Sequence, residues 1–264
     1  MTIKEVRQLK NAEVGHLFPL CFGNMVGERF RLLQMDKSDL QEQLLRLYLR
    51  LNGFFTSGFI VHARESTKNK TEIDTLAVRF PHSREPQRQT GPDPWLELSN
   101  QYVELAICEA KAKKIRFNKA LYGDTKQIEA ILRWAGMFSQ YDVTKLAPQV
   151  QAILIPESNP SPIIRRTQPH KGVVIRSLLF CPERQCPSKN ESFFVGSEVI
   201  FPFIFKCLSP RFEPPMCGRR YGAGQWAELA DLVGFFKKWP SQEPPEYKDL
   251  EKAVHKETPS FNHS

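Results

Sequence analysis

No apolar run in this chain approaches the roughly 20 residues that a membrane-spanning helix needs. Met1 to Lys10 also lacks the apolar stretch of a secretory leader. A cytoplasmic protein with no membrane partner is therefore expected, and access to a nucleoid or nucleus is compatible with that. No glycine-rich phosphate cradle is present, which argues against an NTPase. The six His residues show no metal-ligand spacing, and none pairs with a Ser or Cys nucleophile motif. The six Cys residues include Cys181-x4-Cys186, then Cys207 and Cys217, but no tight Cys-x2-Cys knuckle of a structural zinc site. Reduced, unpaired thiols are the expectation, with zinc as the open alternative. Internal repeats and low-complexity tracts are lacking too.

The 264 residues, 41% of them hydrophobic, suffice for one large domain or a core plus a smaller module. The net charge of +8 favours polyanionic partners. Its distribution says more: Lys111, Lys113, Lys114, Arg116 and Lys119 cluster in one short run. Such a run suits a phosphate backbone, with a solvated loop as the plain alternative. Phe117 inside it would either stack on a base or anchor the loop.

Two segments beside that run carry the chemistry. Residues 71 to 80 mix β-branched and apolar residues and stop at Pro81, which predicts a strand. Residues 102 to 111 predict a second strand that leads directly into the basic run. Strand side chains alternate faces, so Glu72 and Asp74 share one face, as do Glu109 and Lys111. If the strands are neighbours and those faces coincide, three carboxylates and one ammonium converge. Carboxylates so placed repel unless a cation such as Mg²⁺ or Lys111 lies between them.

Upstream, Ser38-Asp39-Leu40-Gln41 predicts a capped helix reaching Leu51, with Leu40, Leu44, Leu47, Tyr48 and Leu51 in one stripe. Asn52-Gly53 ends it, and residues 54 to 62 predict the first strand. Downstream, Asp124-Thr125-Lys126-Gln127 predicts a second capping box, opening a helix with Ile128, Ile131, Leu132 and Ala135 on one face. Residues 150 to 155 predict a strand ended by Pro156. Beyond it, residues 156 to 168 predict an irregular connection, 173 to 180 and 198 to 207 strands, and 225 to 238 a helix. Arg219-Arg220-Tyr221-Gly222 suits a phosphate contact or a surface turn. The segment 81 to 101 looks like an inserted loop, and residues around His16 to Phe22 a packing segment.

Asp74 on one strand, Glu109-x-Lys111 on the next, and helices before and after resemble the PD-(D/E)xK nuclease superfamily. Ile73 stands where that family's name has proline. The resemblance covers roughly residues 38 to 156. It implies a three-layer α/β restriction-endonuclease-like core, a mixed central sheet flanked by helices, here with a C-terminal α+β extension. It also implies that Asp74 and Glu109 hold Mg²⁺ or Mn²⁺, with the Ala110 carbonyl as a further ligand. Lys111 would then orient water or stabilise developing charge. Glu42, near the start of the first helix, occupies the place of a further metal-binding glutamate. Glu72 would support a second metal or a water shell, and Gln127 would position the nucleophile or the backbone, with helix capping as its plain alternative.

The expected organisation is a nuclease core with an N-terminal extension over 1–160, accessory strands and a helix over 161–240, and a flexible tail over 241–264. The expected activity is metal-dependent endo- or exonucleolytic hydrolysis of DNA, with RNA open as a second substrate. Lys113, Lys114, Arg116 and Lys119 are the expected DNA-binding residues. The competing expectation is a catalytically inert nucleic-acid-binding protein or assembly subunit on the same fold. A homo-oligomer or larger complex is compatible with either.

Overall fold

The computed structural model describes residues 35–62, 69–83, 90–155, 167–186, 193–209 and 223–255, with backbone alone at 59–62, 69–72, 167, 223–225 and 255. All belong to one compact unit, Leu32–Ser264, while a second unit, Met1–Arg31, lies outside the described residues. The expected packing segment at His16 to Phe22, most of the 156–168 connection, and Arg219 to Gly222 also lie outside them.

The first helix, α1 (Lys37–Leu51), buries all of the expected apolar stripe, and Leu45 and Leu49 widen it. Each fully buried leucine contributes about 1.5–3 kcal/mol over its exposed state. The helix begins earlier than the sequence suggested. Asp36 is the N-cap and accepts from the Asp39 amide at 2.9 Å, so the Ser38 capping box is corrected to an Asp36 cap. At its other end Gly53 takes φ 85°, and an added Cβ would meet the Ser83 carbonyl at 3.0 Å, so that turn requires glycine. Asn52 Oδ1 accepts from the Asp93 amide, and Tyr48 donates to Asp93 Oδ2, each at 2.7 Å. These buried bonds tie the long 81–101 connection to α1.

Strands β1 (Phe55–His62), β2 (Asn69–Arg79) and β3 (Val103–Ala110) follow where the alternating apolar runs place them. With β4 (Thr167–His170), β5 (Val173–Cys181) and β6 (Val195–Gly196) they form a mixed six-stranded sheet. The order is β1-β2-β3-β5-β4, with β6 paired to β5. β1–β2 and β2–β3 run antiparallel, whereas β3 and β5 run parallel. The sheet thus continues past residue 160, and β5 sits inside it beside β3.

Helices cover both faces. On one, Tyr48 of α1 packs edge-on against Phe180 of β5 and Phe203 of α5 (Ser197–Leu208), at 5.5 and 5.3 Å. On the other lie α2 (Lys119–Tyr122), α3 (Thr125–Ala135) and α4 (Gln140–Leu154). There Ser177 Oγ donates to the Ile153 carbonyl at 3.0 Å, and Gln151 joins α4 to the Tyr122 carbonyl.

Several expectations are corrected. Residues 150–155 are not a strand but the end of α4, whose buried Val143, Leu146, Ala147, Val150 and Leu154 follow helical spacing. Pro148 inside that helix is exposed, and the β-branched Val150, Ile153 and Ile155 after it imitated a strand. Residues 198–207 are likewise helical, in α5. Its apolar residues cover all but a narrow exposed stripe of Glu198, Pro202 and Lys206, which leaves only a weak amphipathic pattern. The helix expected at 225–238 is instead a 3₁₀ segment, Ala223–Leu229, kinked within at Ala227 (φ 50°), followed by α6 (Ala230–Lys238). The flexible tail is corrected over α7 (Tyr247–His255), whose Tyr247, Leu250 and Val254 are buried.

Candidate functional site

The β2–β3 register pairs Thr75 with Cys108 and Leu76 with Ile107. Carried one residue further, it sets Asp74 across from Glu109 on the α2–α4 side of the sheet. The β1–β2 ladder is irregular at this same point. Ser57 pairs with Leu76 and Phe59 with Ile73, so Asp74 and Thr75 together oppose Gly58. Such a bulge ends regular pairing and re-aims a side chain. The Asp74 carboxylate takes over the next rung, its Oδ2 accepting from the Ala110 amide at 2.8 Å.

Arg46 of α1 grips the bulge from the opposite face. Its Nη2 donates to the Asp74 carbonyl at 3.3 Å and lies 3.6 Å from Glu42 Oε2. A Cβ at Gly58 would stand in ordinary contact, 3.4 Å from Arg46 Nη2, so Arg46 packs directly over this position. Glu42 therefore reaches Asp74 through a cation. Sequence reasoning missed Arg46; its place four residues after Glu42 was the available signal.

Glu109 is 1% exposed. Its Oε2 accepts from the Asn118 amide at 3.0 Å and faces Lys111 Nζ at 2.7 Å, whereas its buried Oε1 has no hydrogen-bond partner. Burial pushes the Glu109 carboxyl above its ordinary range; Lys111 opposes the shift, and the charge of Asp74 adds to it. Asp74 also reinforces the burial that raises the Cys108 thiol. Two electrostatically coupled carboxylates and one ammonium thus converge where β2 and β3 part.

The basic run is folded back onto this site. The Lys111 amide donates to the Phe180 carbonyl at 2.7 Å, and Asn118, besides binding Glu109, caps α2 through Ala120. Phe117 is 1% exposed, so it anchors the loop and does not offer a stacking face. Lys113, Lys114, Arg116 and Lys119 are exposed.

Gln127 lies in the first turn of α3, which Asp124 caps through the Lys126 amide. The reciprocal half of the capping box is not made, because the buried Gln127 Oε1 has no hydrogen-bond partner. No hydrogen bond among the described residues ties Gln127 to Asp74 or Glu109. The Glu72 side chain lies outside the described residues.

Among the described residues no three His, Cys, Asp or Glu side chains group as a metal cage. The described donors are two carboxylates, one with an unbonded buried oxygen, beside a strand end. That set suits a hard cation such as Mg²⁺, which commonly uses one or two carboxylates plus water and substrate phosphate. Cys108, Cys181, Cys186 and Cys207 are buried and not disulfide-bonded, and Cys186 Sγ donates to Glu198. Cys21 and Cys217 lie outside the described residues. No described helix is long and apolar enough to cross a membrane. The chain matches no known family model, curated protein or solved structure.

Proposed function

We propose that the chain is a metal-dependent nuclease of the PD-(D/E)xK type on a restriction-endonuclease-like core, hydrolysing DNA phosphodiester bonds. The observation that carries this reading is the convergence of Asp74, Glu109 and Lys111 on adjacent strands, with an unbonded Glu109 Oε1 in a buried setting.

Asp74 and Glu109 would hold Mg²⁺ or Mn²⁺. When bound, such an ion supplies Lewis acidity toward a phosphate oxygen and lowers the pKa of water. The chain's own residues do the rest. Glu109 is held by the Asn118 amide and Lys111, which favour its charged form against the cost of burial. Lys111, partly exposed, presents its ammonium to charge developing on the phosphate oxygens. Arg46 and the Ala110 amide fix Asp74 at its carbonyl and its carboxylate. Lys113, Lys114, Arg116 and Lys119 would carry the substrate backbone. Glu42 acts through Arg46.

The test is Mn²⁺ binding by wild type, Asp74→Asn and Glu109→Gln, followed by the loss of the free-ion paramagnetic signal. Wild type should hold the ion, and each variant should weaken it at least ~10-fold. Equal binding by all three would remove the metal from this pair.

A further inference from the structure

Two of the large exposed aromatic side chains sit at the junction of α3 and α4: Trp134 is 60% exposed and Tyr141 67%. A hydrogen bond from Arg133 Nε to Gln140 Oε1 at 2.9 Å clamps their immediate neighbours together. Lys145 Nζ lies 4.2 Å from the Tyr141 ring centroid. The surrounding exposed charges are basic, with Lys126, Arg133, Lys145 and Lys171 on the same two helices and the adjoining turn. Three carboxylates lie on the same elements and all are engaged: Asp124 with the Lys126 amide at 3.0 Å, Glu129 with Arg133 at 2.6 Å, and Asp142 with Lys171 at 2.9 Å.

We infer that Trp134 and Tyr141 form a stacking platform for unpaired bases, which makes single-stranded nucleic acid, or a substrate with a single-stranded arm, the preferred ligand. Base faces stack on aromatic rings irrespective of sequence, and flanking cations hold the backbone. Cations outnumber carboxylates on these elements, and Lys145 stands directly over the Tyr141 ring, so the charge favours a polyanion over an apolar protein partner. The position also fits, because α3 and α4 lie on the side of the sheet that carries Asp74 and Glu109. Duplex DNA hides its base faces, so it would engage the basic loop at 111–119 without using these rings.

The inference rests on the nucleic-acid part of the proposed function but not on cleavage, so the test is run in EDTA. A fluorescein-labelled oligothymidylate and a blunt duplex of similar length are titrated with wild type, Trp134→Ala, Tyr141→Ala, Trp134→Phe and Lys113→Ala/Lys114→Ala. Each ring removal should weaken single-strand binding about 10-fold, with duplex binding unchanged. Trp134→Phe should recover part of the loss. The lysine pair should weaken both ligands. Single-strand binding unchanged by either ring removal would overturn the platform and reassign the patch to a protein contact. Parallel loss on both ligands would overturn it as well. Failure of wild type to bind either ligand would sink the platform and the nuclease reading together. Strand-selective binding by a protein that never cuts would leave the platform standing and sink only the nuclease.

Discussion

Replacing Asp74 in two ways separates its structural work from its chemical work. The Asp74 carboxylate accepts the Ala110 amide at 2.8 Å at the point where the β2–β3 ladder stops. Asp74→Ala leaves that half-buried amide without its acceptor, and about 1 kcal/mol should be lost, the low end of the range for a buried unsatisfied donor. Asp74→Asn keeps an acceptor oxygen in nearly the same place. It exchanges a charge-assisted bond for a neutral one, and it also removes the repulsion that Asp74 exerts on Glu109. Those changes oppose one another, so a net loss under ~1 kcal/mol is expected. Urea denaturation followed by circular dichroism gives both numbers, with an unchanged m-value as the check on the denatured state. In a Mg²⁺-dependent cleavage assay both variants should fall by at least ~10²-fold, since both lose the charge that would hold the ion. Full stability in Asp74→Ala would show that the Ala110 amide does not depend on this carboxylate. Wild-type cleavage by Asp74→Asn would move the chemistry to another site.

Glu104 is fully buried at the far end of β3, where it accepts from Arg176 at 2.6 and 3.0 Å and from the Ser99 amide. Glu104→Ala strands Arg176 beside the equally buried Arg79, and about 3–5 kcal/mol of stability should be lost by urea denaturation; a loss under ~1 kcal/mol would mean that the two cations relax into solvent. Lys171 first, and then Ser139, hold the Asp142 carboxyl down from 3.8 to about 2. Its stabilising contribution is therefore complete above pH ~4 and fades as pH falls through ~2. Asp142→Asn should flatten that part of an acid-denaturation profile, whereas an unaltered profile would show that the pair is solvent-screened. The triple replacement of Lys113, Lys114 and Arg116 by Ala should weaken binding to all DNA sequences alike and reduce the salt slope by roughly one for each phosphate no longer neutralised. An unchanged slope would return those residues to plain surface.

The local pattern made much of the sheet readable. Alternation and Pro81 located β2, and the same logic located β1 and β3, hence the shared face of Asp74 and Glu109. Asp124 marked the start of α3, which ends at Gly136 (φ 69°). Three features resisted. α5 is apolar around all but one narrow stripe, Glu198, Pro202 and Lys206, and that four-residue spacing was outweighed by the β-branched and aromatic residues between. In α4 the tract of Val150 and Ile153 to Ile155 mimicked a strand, since position within a helix is set by packing and not by β propensity. α7 was hidden by the prolines before it, although Tyr247, Leu250 and Val254 give it a buried face. Within the site, the bulge opposite Gly58 and the reach of Arg46 depend on strand pairing and helix placement. Neither is written in the spacing of Glu42, Asp74 and Glu109.

The most direct test incubates wild type, Glu109→Gln and Lys111→Ala with labelled linear, circular, nicked and branched DNA in Mg²⁺, Mn²⁺ or EDTA. Wild type should cut in an EDTA-sensitive manner, and both variants should be at least ~10²-fold slower while DNA binding persists. DNA binding by wild type without cutting in either metal, or cutting that survives Glu109→Gln, would contradict a metal-dependent nuclease site at Asp74, Glu109 and Lys111.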